Sequence, residues 1–477
     1  MPDCGFSERF IVCLTPDGEM RTVMSETSLQ IFFRLVQEEM SVTDISSELS
    51  IPKTTAQTIM GKMETLGILA SRKDESDRRR TVFRTAASPI YMDSNSIRWR
   101  FMSVNSAVDD LMSGTDHPML DAVALWASVM NSHGLDVWPL VMDFGMTLGT
   151  HVSDRFKESS VDEVLQFVTH LFRESDVSID VGSGIEVSLR SNGSKHSNGA
   201  ACIGPMIGML IVLLRNRKGL SYVPMLKIVS MNPAEIVMKA RPFKGVCPTD
   251  ADRSLHRLCA ASHPSKDEFG VWFADYSAIM ITNPTMIRIL DCISEKTCTV
   301  TSISERIGIP RPSIYAALKK LIDLRLVVFA EEEGKRDKAY SLSCLKVLGS
   351  KGDGEGDPKR ITTALDQFVD GRIGLFDALA EYVFYLKSST GIETDWQWNA
   401  IGRAVGRSVR ARLKEIGYRE YLEIILSMIL PPNSGHIVED GSILIESENN
   451  SMIGKKGLCD LVFGAISEFD TSPDYNS

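Results

Sequence analysis

Long uninterrupted apolar runs are missing from this 477-residue chain. The longest, Ala201 to Leu214, falls short of the ~20 residues that span a bilayer, so no membrane partner is expected. Net positive charge is also missing. Lys and Arg number 52 against 62 Asp and Glu, a balance of −10, which argues against a protein that coats nucleic acid along its whole surface. Local contact stays open, because phosphate binding depends on local charge. Met1 to Arg9 lacks a basic start followed by an apolar core, so no secretory leader is expected. The nine cysteines have no framework spacing, which points to reduced thiols and a cytoplasmic protein.

Signs of catalysis are equally scarce. No Ser-His-Asp set or carboxylate pair stands out, and no glycine loop of phosphate-binding type precedes a helix. Cys247, His256, Cys259 and His263 share a polar stretch, but their spacing is not that of a zinc finger, and unrelated linker residues are the simpler account. Ile179-Asp180-Val181-Gly182-Ser183-Gly184 superficially matches the first motif of S-adenosylmethionine methyltransferases. That chemistry needs a helix after the glycines, whereas Ile185-Glu186-Val187-Ser188-Leu189 alternates as a strand. No enzyme, no metal and no cofactor are expected.

What the chain does contain is the same piece twice. Val42-Thr43-Asp44-Ile45-Ser46 followed by Ile51-Pro52 returns as Val300-Thr301-Ser302-Ile303-Ser304 followed by Ile309-Pro310, and the register holds without a gap from Thr27/Thr285 to Leu66/Leu324. A long-period repeat sets the architecture before any other consideration. Each copy opens with a strand pair, Phe10–Leu14 with Met20–Val23 and Val271–Phe273 with Ile279–Ile281. A helix follows, with one apolar face made by Leu29, Phe32, Phe33 and Val36, or by Met286, Ile289, Leu290 and Ile293. A helix-turn-helix and a wing come next.

In the first copy Val42 to Leu49 is the support helix, Ser50-Ile51-Pro52 the turn and Lys53 to Leu66 the recognition helix. Met60, Met63 and Leu66 face the core, and Gly67 ends the helix in a left-handed cap. Lys53, Thr54, Thr55, Gln57, Thr58, Gly61 and Lys62 are left facing outward, residue types that reach base edges and phosphates of double-stranded DNA. Arg78, Arg79 and Arg80 form the wing end. The second copy presents Arg311, Ser313, Tyr315, Lys319 and Lys320, with Lys335 and Arg336 at its wing tip. Glu331 to Glu333 precede that tip and repel phosphate, so the second copy is expected to bind DNA more weakly or to contact protein. Both copies are basic islands: eight cations against four acids over Lys53–Thr85, seven against five over Arg311–Ser343.

The wing Arg72-Lys73-Asp74-Glu75-Ser76-Asp77-Arg78-Arg79-Arg80 resembles that of MarR-type regulators, over Leu29 to Thr85. The resemblance implies Arg78 or Arg79 as the residue that enters the minor groove and Asp77 as the acid that orients it. The long dimerisation helices of that family are not evident. The later part of each copy is similar to the 4-vinyl-reductase-type small-molecule-binding domain: a glycine-spaced helix (Gly145, Gly149; Gly402, Gly406), a strand pair, and an apolar helix opened by Cys202 to Gly208. That similarity implies a small apolar effector near Gly145, Gly149, Cys202 and Gly208. Close packing of helices on small residues is the plainer account of the same glycines.

The expected fold is therefore α+β, two tandem repeats, each a winged helix-turn-helix followed by an α+β ligand-binding-like domain. Residues 1–90 are the first winged helix and 91–246 the first α+β domain. Residues 247–268 form a connector, 269–349 the second winged helix and 360–477 the second α+β domain. Ser350 to Lys359 reads as a flexible loop. The expected function is a DNA-binding transcriptional regulator, monomeric as a pseudo-dimer or homodimeric. The alternatives are a non-catalytic assembly protein that uses winged helices for protein contacts and, third, a methyltransferase.

Overall fold

The computed structural model describes residues 6–7, 9–17, 19–74, 76–93, 118–172, 177–181, 185–190, 200–215, 222–232, 235–242, 269–274, 277–330, 338–349, 358–373, 378–383, 386, 396–413, 416–429, 435–439, 442–446 and 454–469. The connector 247–268 lies outside them, with Cys247, His256, Cys259 and His263. So do Asn192–Gly199, the stretch Val108–Gly114 and the second wing tip with Glu331–Glu333, Lys335 and Arg336. No helix is long and apolar enough to cross a membrane among the described residues.

The first strands are β1 (Phe6–Ser7), β2 (Ile11–Leu14) and β3 (Met20–Val23), followed by α1 (Glu26–Gln37). Ser25 caps α1 by accepting from the Ser28 amide. Leu29, Phe32, Leu35 and Val36 bury the predicted face. Then come β4 (Met40–Ser41), α2 (Val42–Glu48) and α3 (Lys53–Thr65), the wing strands β5 (Leu69–Lys73) and β6 (Thr81–Thr85), and β7 (Ser88–Asp93). The sheet order β4-β6-β5 places the wing beside α2. Ile45, Ala56, Met60, Met63, Ile68 and Leu69 close one core under α1, each fully buried large side chain contributing about 1.5–3 kcal/mol.

The chain continues through α4 (Pro118–Ser132), β8 (Leu135–Asp136), α5 (Trp138–Val152) and α6 (Val161–Leu171). Strands β9 (Val177–Val181) and β10 (Ile185–Arg190), helix α7 (Ala200–Arg215), and strands β11 (Tyr222–Asn232) and β12 (Glu235–Pro242) complete this part. The four strands form one antiparallel sheet in the order β11-β12-β10-β9. Ile185–Arg190 is thus a strand paired with Val177–Val181, where the methyltransferase motif requires a helix.

The same order of elements then returns: β13 (Gly270–Ala274), β14 (Ser277–Ile281), α8 (Pro284–Glu295), β15 (Cys298–Thr299), α9 (Val300–Ile307), α10 (Arg311–Asp323), β16 (Val327–Ala330), β17 (Ala339–Leu342) and β18 (Leu345–Gly349). Their core joins Met286, Ile289, Leu290 and Ile293 to Ile303, Ile314, Leu318 and Leu321. The last described part holds α11 (Pro358–Val369), a helical stretch at 378–383, α12 (Trp396–Arg412), α13 (Tyr418–Ile429), the hairpin β19 (Gly435–Glu439) and β20 (Ser442–Glu446), and α14 (Gly454–Ser467). Pro358 and Lys359 open α11 rather than ending a loop, proline being tolerated in a first helical turn.

The two halves are not separate beads. β1 adds an antiparallel strand to β14, Phe6 opposite Ile281 and Ser7 opposite Met280. One apolar cluster runs from Trp126, Leu140 and Phe144 to Tyr382, Ile401, Val405 and Leu461. Polar bonds cross it. Trp126 Nε1 donates to Gln397 Oε1 at 3.0 Å and the buried Tyr382 hydroxyl donates to Asp143. His151 Nε2 meets Asp366 at 2.9 Å.

Candidate nucleic-acid interface

The recognition helix α3 is positioned by its burial pattern. Ala56, Met60 and Met63 recur at helical spacing and hold it on α1, which turns the opposite face to solvent. Lys53, Thr54, Thr55, Gln57, Thr58 and Lys62 are all exposed, as the sequence pattern requires. The side chains of Lys53, Thr54, Thr55 and Gln57 have no partner among the described residues. The Thr58 hydroxyl donates to the Thr54 carbonyl at 2.8 Å, so at a base edge it offers lone pairs rather than a proton. A Cβ on Gly61 would meet nothing within 4 Å, and backbone can therefore approach a ligand closely there.

The C-terminal end of α3 is stopped by Gly67 at φ +71°, with Ile68 N–H on the Met63 carbonyl and Gly67 N–H on the Glu64 carbonyl. In α10 the same two bonds form at Leu326 and Arg325, and Arg325 adopts φ +58° without being glycine.

The wing arginines divide by role. Arg80 reaches across to the carboxylate of Asp44, which also accepts from the Ser41 amide and hydroxyl at 2.7 Å in the capping box of α2. Burial works to raise the Asp44 carboxyl, but the Ser41 bonds and Arg80 outweigh it and hold it below the usual range. Arg80 thus ties the wing to the support helix. Arg72 and Arg84 both meet Glu39, Arg72 Nη2 at 2.6 Å. Three of the eight cations between Lys53 and Thr85 are therefore engaged inside the module, two of them on one carboxylate. Arg78 and Arg79 are exposed and, among the described residues, their guanidinium groups are unpaired. Asp77 meets Arg79 through the backbone: Asp77 Oδ1 accepts the Arg79 amide at 3.0 Å, and the Asp77 carbonyl accepts the Arg80 amide at 2.8 Å. Asp77 shapes the turn, and the acids that hold an arginine are Asp44 and Asp74, acting on Arg80.

On α10, Arg311, Ser313, Tyr315, Lys319 and Lys320 are exposed, with Ile314, Ala317, Leu318 and Leu321 buried. Sequence reasoning missed the wing strand beside them: Phe329 of β16 is 44% exposed, and Lys338 Nζ lies 4.2 Å over its ring. The apolar run Val327-Val328-Phe329 looks like ordinary core strand, and only the fold reveals that part of it faces out.

The glycines assigned to an effector pocket lie elsewhere than expected. A Cβ on Gly145 would strike the Pro205 carbonyl, one on Gly208 the Met142 carbonyl, and one on Gly149 would lie 2.9 Å from the Met209 carbonyl. These residues let α5 and α7 touch backbone to backbone, and no room for a ligand exists at them. Gly402 and Gly406 do the same for α12 against Leu461 and Ala465 of α14. The Cys202 side chain lies outside the described residues.

A comparison with family profiles matches residues 283–328 to the bacterial regulatory protein, arsR family. No curated protein and no solved structure matches the chain. The matched stretch covers α8 to the start of β16, the helix-turn-helix of the second module rather than the first, and it supports a DNA-binding transcriptional regulator built on a winged helix-turn-helix.

Proposed function

We propose that the chain is a transcriptional regulator with two winged helices in tandem, in which α3 and the Arg78-Arg79 wing tip engage double-stranded DNA. The observation that carries this reading is the outward row Lys53, Thr54, Thr55 and Gln57, whose side chains, like the guanidinium groups of Arg78 and Arg79, have no partner among the described residues. Side chains with unused donors and acceptors on a protruding helix are suited to base edges, and free guanidinium groups to phosphates or the minor groove. The tandem reading is supported by element order: hairpin, helix, short strand, two helices, two wing strands and a closing strand occur in β2–β7 and again in β13–β18. The core shared by the two halves takes the place of a dimer interface. We infer a non-catalytic protein. The effector assignment at Gly145, Gly149 and Gly208 is not retained, because helix backbone fills those positions. The resemblance to MarR-type regulators belongs to this proposal for the first module alone.

Selection of bound fragments from random duplex DNA, followed by binding assays on a selected site, tests the reading. The double variant R78A/R79A is expected to weaken binding by roughly 1–3 kcal/mol and to flatten the slope of log affinity against log salt by about 1–2. Equal affinity and equal salt dependence for parent and variant would remove the wing from the interface.

A further inference from the structure

The surface of the second winged helix differs in kind from that of the first. Where α3 carries Gln57 and β5 carries Ser71, the matching positions of α10 and β16 hold Tyr315 and Phe329, 55% and 44% exposed. A lone exposed ring is ordinary, but Tyr315, Val328 and Phe329 lie on a helix and a strand that pack together, and an open apolar patch marks a contact surface. Tyr340, directly opposite Phe329 in the β16–β17 ladder, is buried and has its ring centroid 6.2 Å from that of Phe329. Its phenol is pushed up first by burial and then by the neighbouring Tyr315. Tyr315 and Phe329 are thus the open rings of one strip, on a helix and a wing strand that pack together, with the buried Tyr340 beside Phe329.

Cations border this strip. Arg311, Tyr315 and Lys319 stand four residues apart along α10, a single ridge of alternating charge and ring. Arg311, Lys319 and Lys320 are exposed and have no ion-pair partner among the described residues. Lys338 covers one side of Phe329. The acids Glu331 to Glu333, which follow β16 in the chain, oppose the wing-to-phosphate contact that a duplex-bound winged helix makes. A ridge of rings and cations, followed in the chain by three acids that offset Lys335, Arg336 and Lys338, fits a polymer with one phosphate track and open base faces, since aromatic platforms beside positive charge stack unpaired bases.

We propose that the second winged helix binds single-stranded nucleic acid, stacking bases on Tyr315 and Phe329 while Arg311, Lys319 and Lys320 follow the backbone. This goes beyond the duplex reading of the first module and does not depend on it.

The test uses the full chain, a fluorescein-labelled oligothymidylate as single strand and, in parallel, a selected duplex. Fluorescence anisotropy is expected to show salt-dependent binding of the single strand. Y315A and F329A should each weaken it about five- to a hundredfold, while Tyr315→Phe retains it, since stacking needs the ring and not the hydroxyl. Duplex binding should be unchanged in those variants, and R78A/R79A should weaken the duplex alone. Both rings are solvent-facing, and an unchanged melting temperature checks that the alanine variants fold. Three results overturn the proposal: no single-strand binding at low salt, equal binding by parent and alanine variants, or loss of single-strand binding in R78A/R79A. Concentration-dependent self-association of the parent that disappears in Y315A, with no single-strand binding, would reassign the strip to a protein interface. Failure of duplex binding alone would count against the proposed function and leave this inference standing.

Discussion

Asp136 sits at the end of β8 with 2% of its surface exposed, opposite Met92 in the ladder and beside the equally buried Asp93. Asp136 Oδ1 accepts the Trp138 amide at 2.9 Å, Asp93 Oδ2 accepts the Phe10 amide at 3.0 Å, and Asp136 Oδ2 has no hydrogen-bond partner. Burial, with Asp93 as a secondary cause, pushes the Asp136 carboxyl up to about 7. A folded-state value above the unfolded one means that the folded chain keeps a proton the unfolded chain releases. Stability is then undiminished below about pH 4, falls by about 1.4 kcal/mol per pH unit as pH rises, and levels off above about pH 7. Asp136→Asn keeps the acceptor for Trp138 and removes the ionisation. Urea midpoints measured at several pH values should fall between about pH 4 and about pH 7, the window set by that shift, for the parent and much less for the variant. Parallel profiles would show that Asp136 does not titrate there. At this scale the division among the wing arginines matters as well: three neighbouring arginines look equivalent in sequence, and only Asp44, thirty-odd positions upstream, singles out Arg80 as internal.

Helices and strands were the most legible level. The amphipathic spacing of Leu29, Phe32 and Val36, the proline turns at Pro52 and Pro310, and the cap at Gly67 all follow from local rules, and the described elements match them. What could not be read was the surroundings of a small residue. Gly145 and Gly149 at four-residue spacing allow either a ligand or a helix to come close, and sequence alone holds no information on which does. The backbone of α7 settles it by occupying the space. Gly145→Ala is therefore expected to strain the α5–α7 contact, costing about 1–3 kcal/mol and lowering the melting temperature, whatever small molecules are present. An alanine variant as stable as the parent would mean that the helices part easily and that the close approach is not what holds this half together. The exposed ring of β16 escaped for a related reason: Val327-Val328-Phe329 is apolar throughout, and a short apolar run does not show that only Val327 is covered.

For the whole molecule the decisive feature is that the halves share one core. Winged-helix regulators that read two half-sites need two recognition helices at a fixed separation, and a homodimer supplies them by symmetry. Here Trp126 to Gln397, Tyr382 to Asp143 and the strand pairing of β1 with β14 join the halves that carry α3 and α10, the two helices proposed for that role, within a single chain. The consequence is asymmetry. A symmetric dimer must present identical helices, whereas α3 offers Thr54, Thr55 and Gln57 where α10 offers Pro312, Ser313 and Tyr315. The protein is accordingly expected to sediment as a monomer and to protect a single, non-palindromic stretch of duplex centred on the α3 module. Removing one of the buried polar links tests the coupling between halves. Tyr382→Phe leaves Asp143, a buried carboxylate, without its phenol donor, a loss of about 1–3 kcal/mol. Because the bond crosses the shared core, that loss should lower the unfolding transition of both halves together rather than split it in two. Separate transitions in calorimetry, or a stable dimer with a palindromic footprint, would show that the halves act independently and that symmetry comes from a second chain.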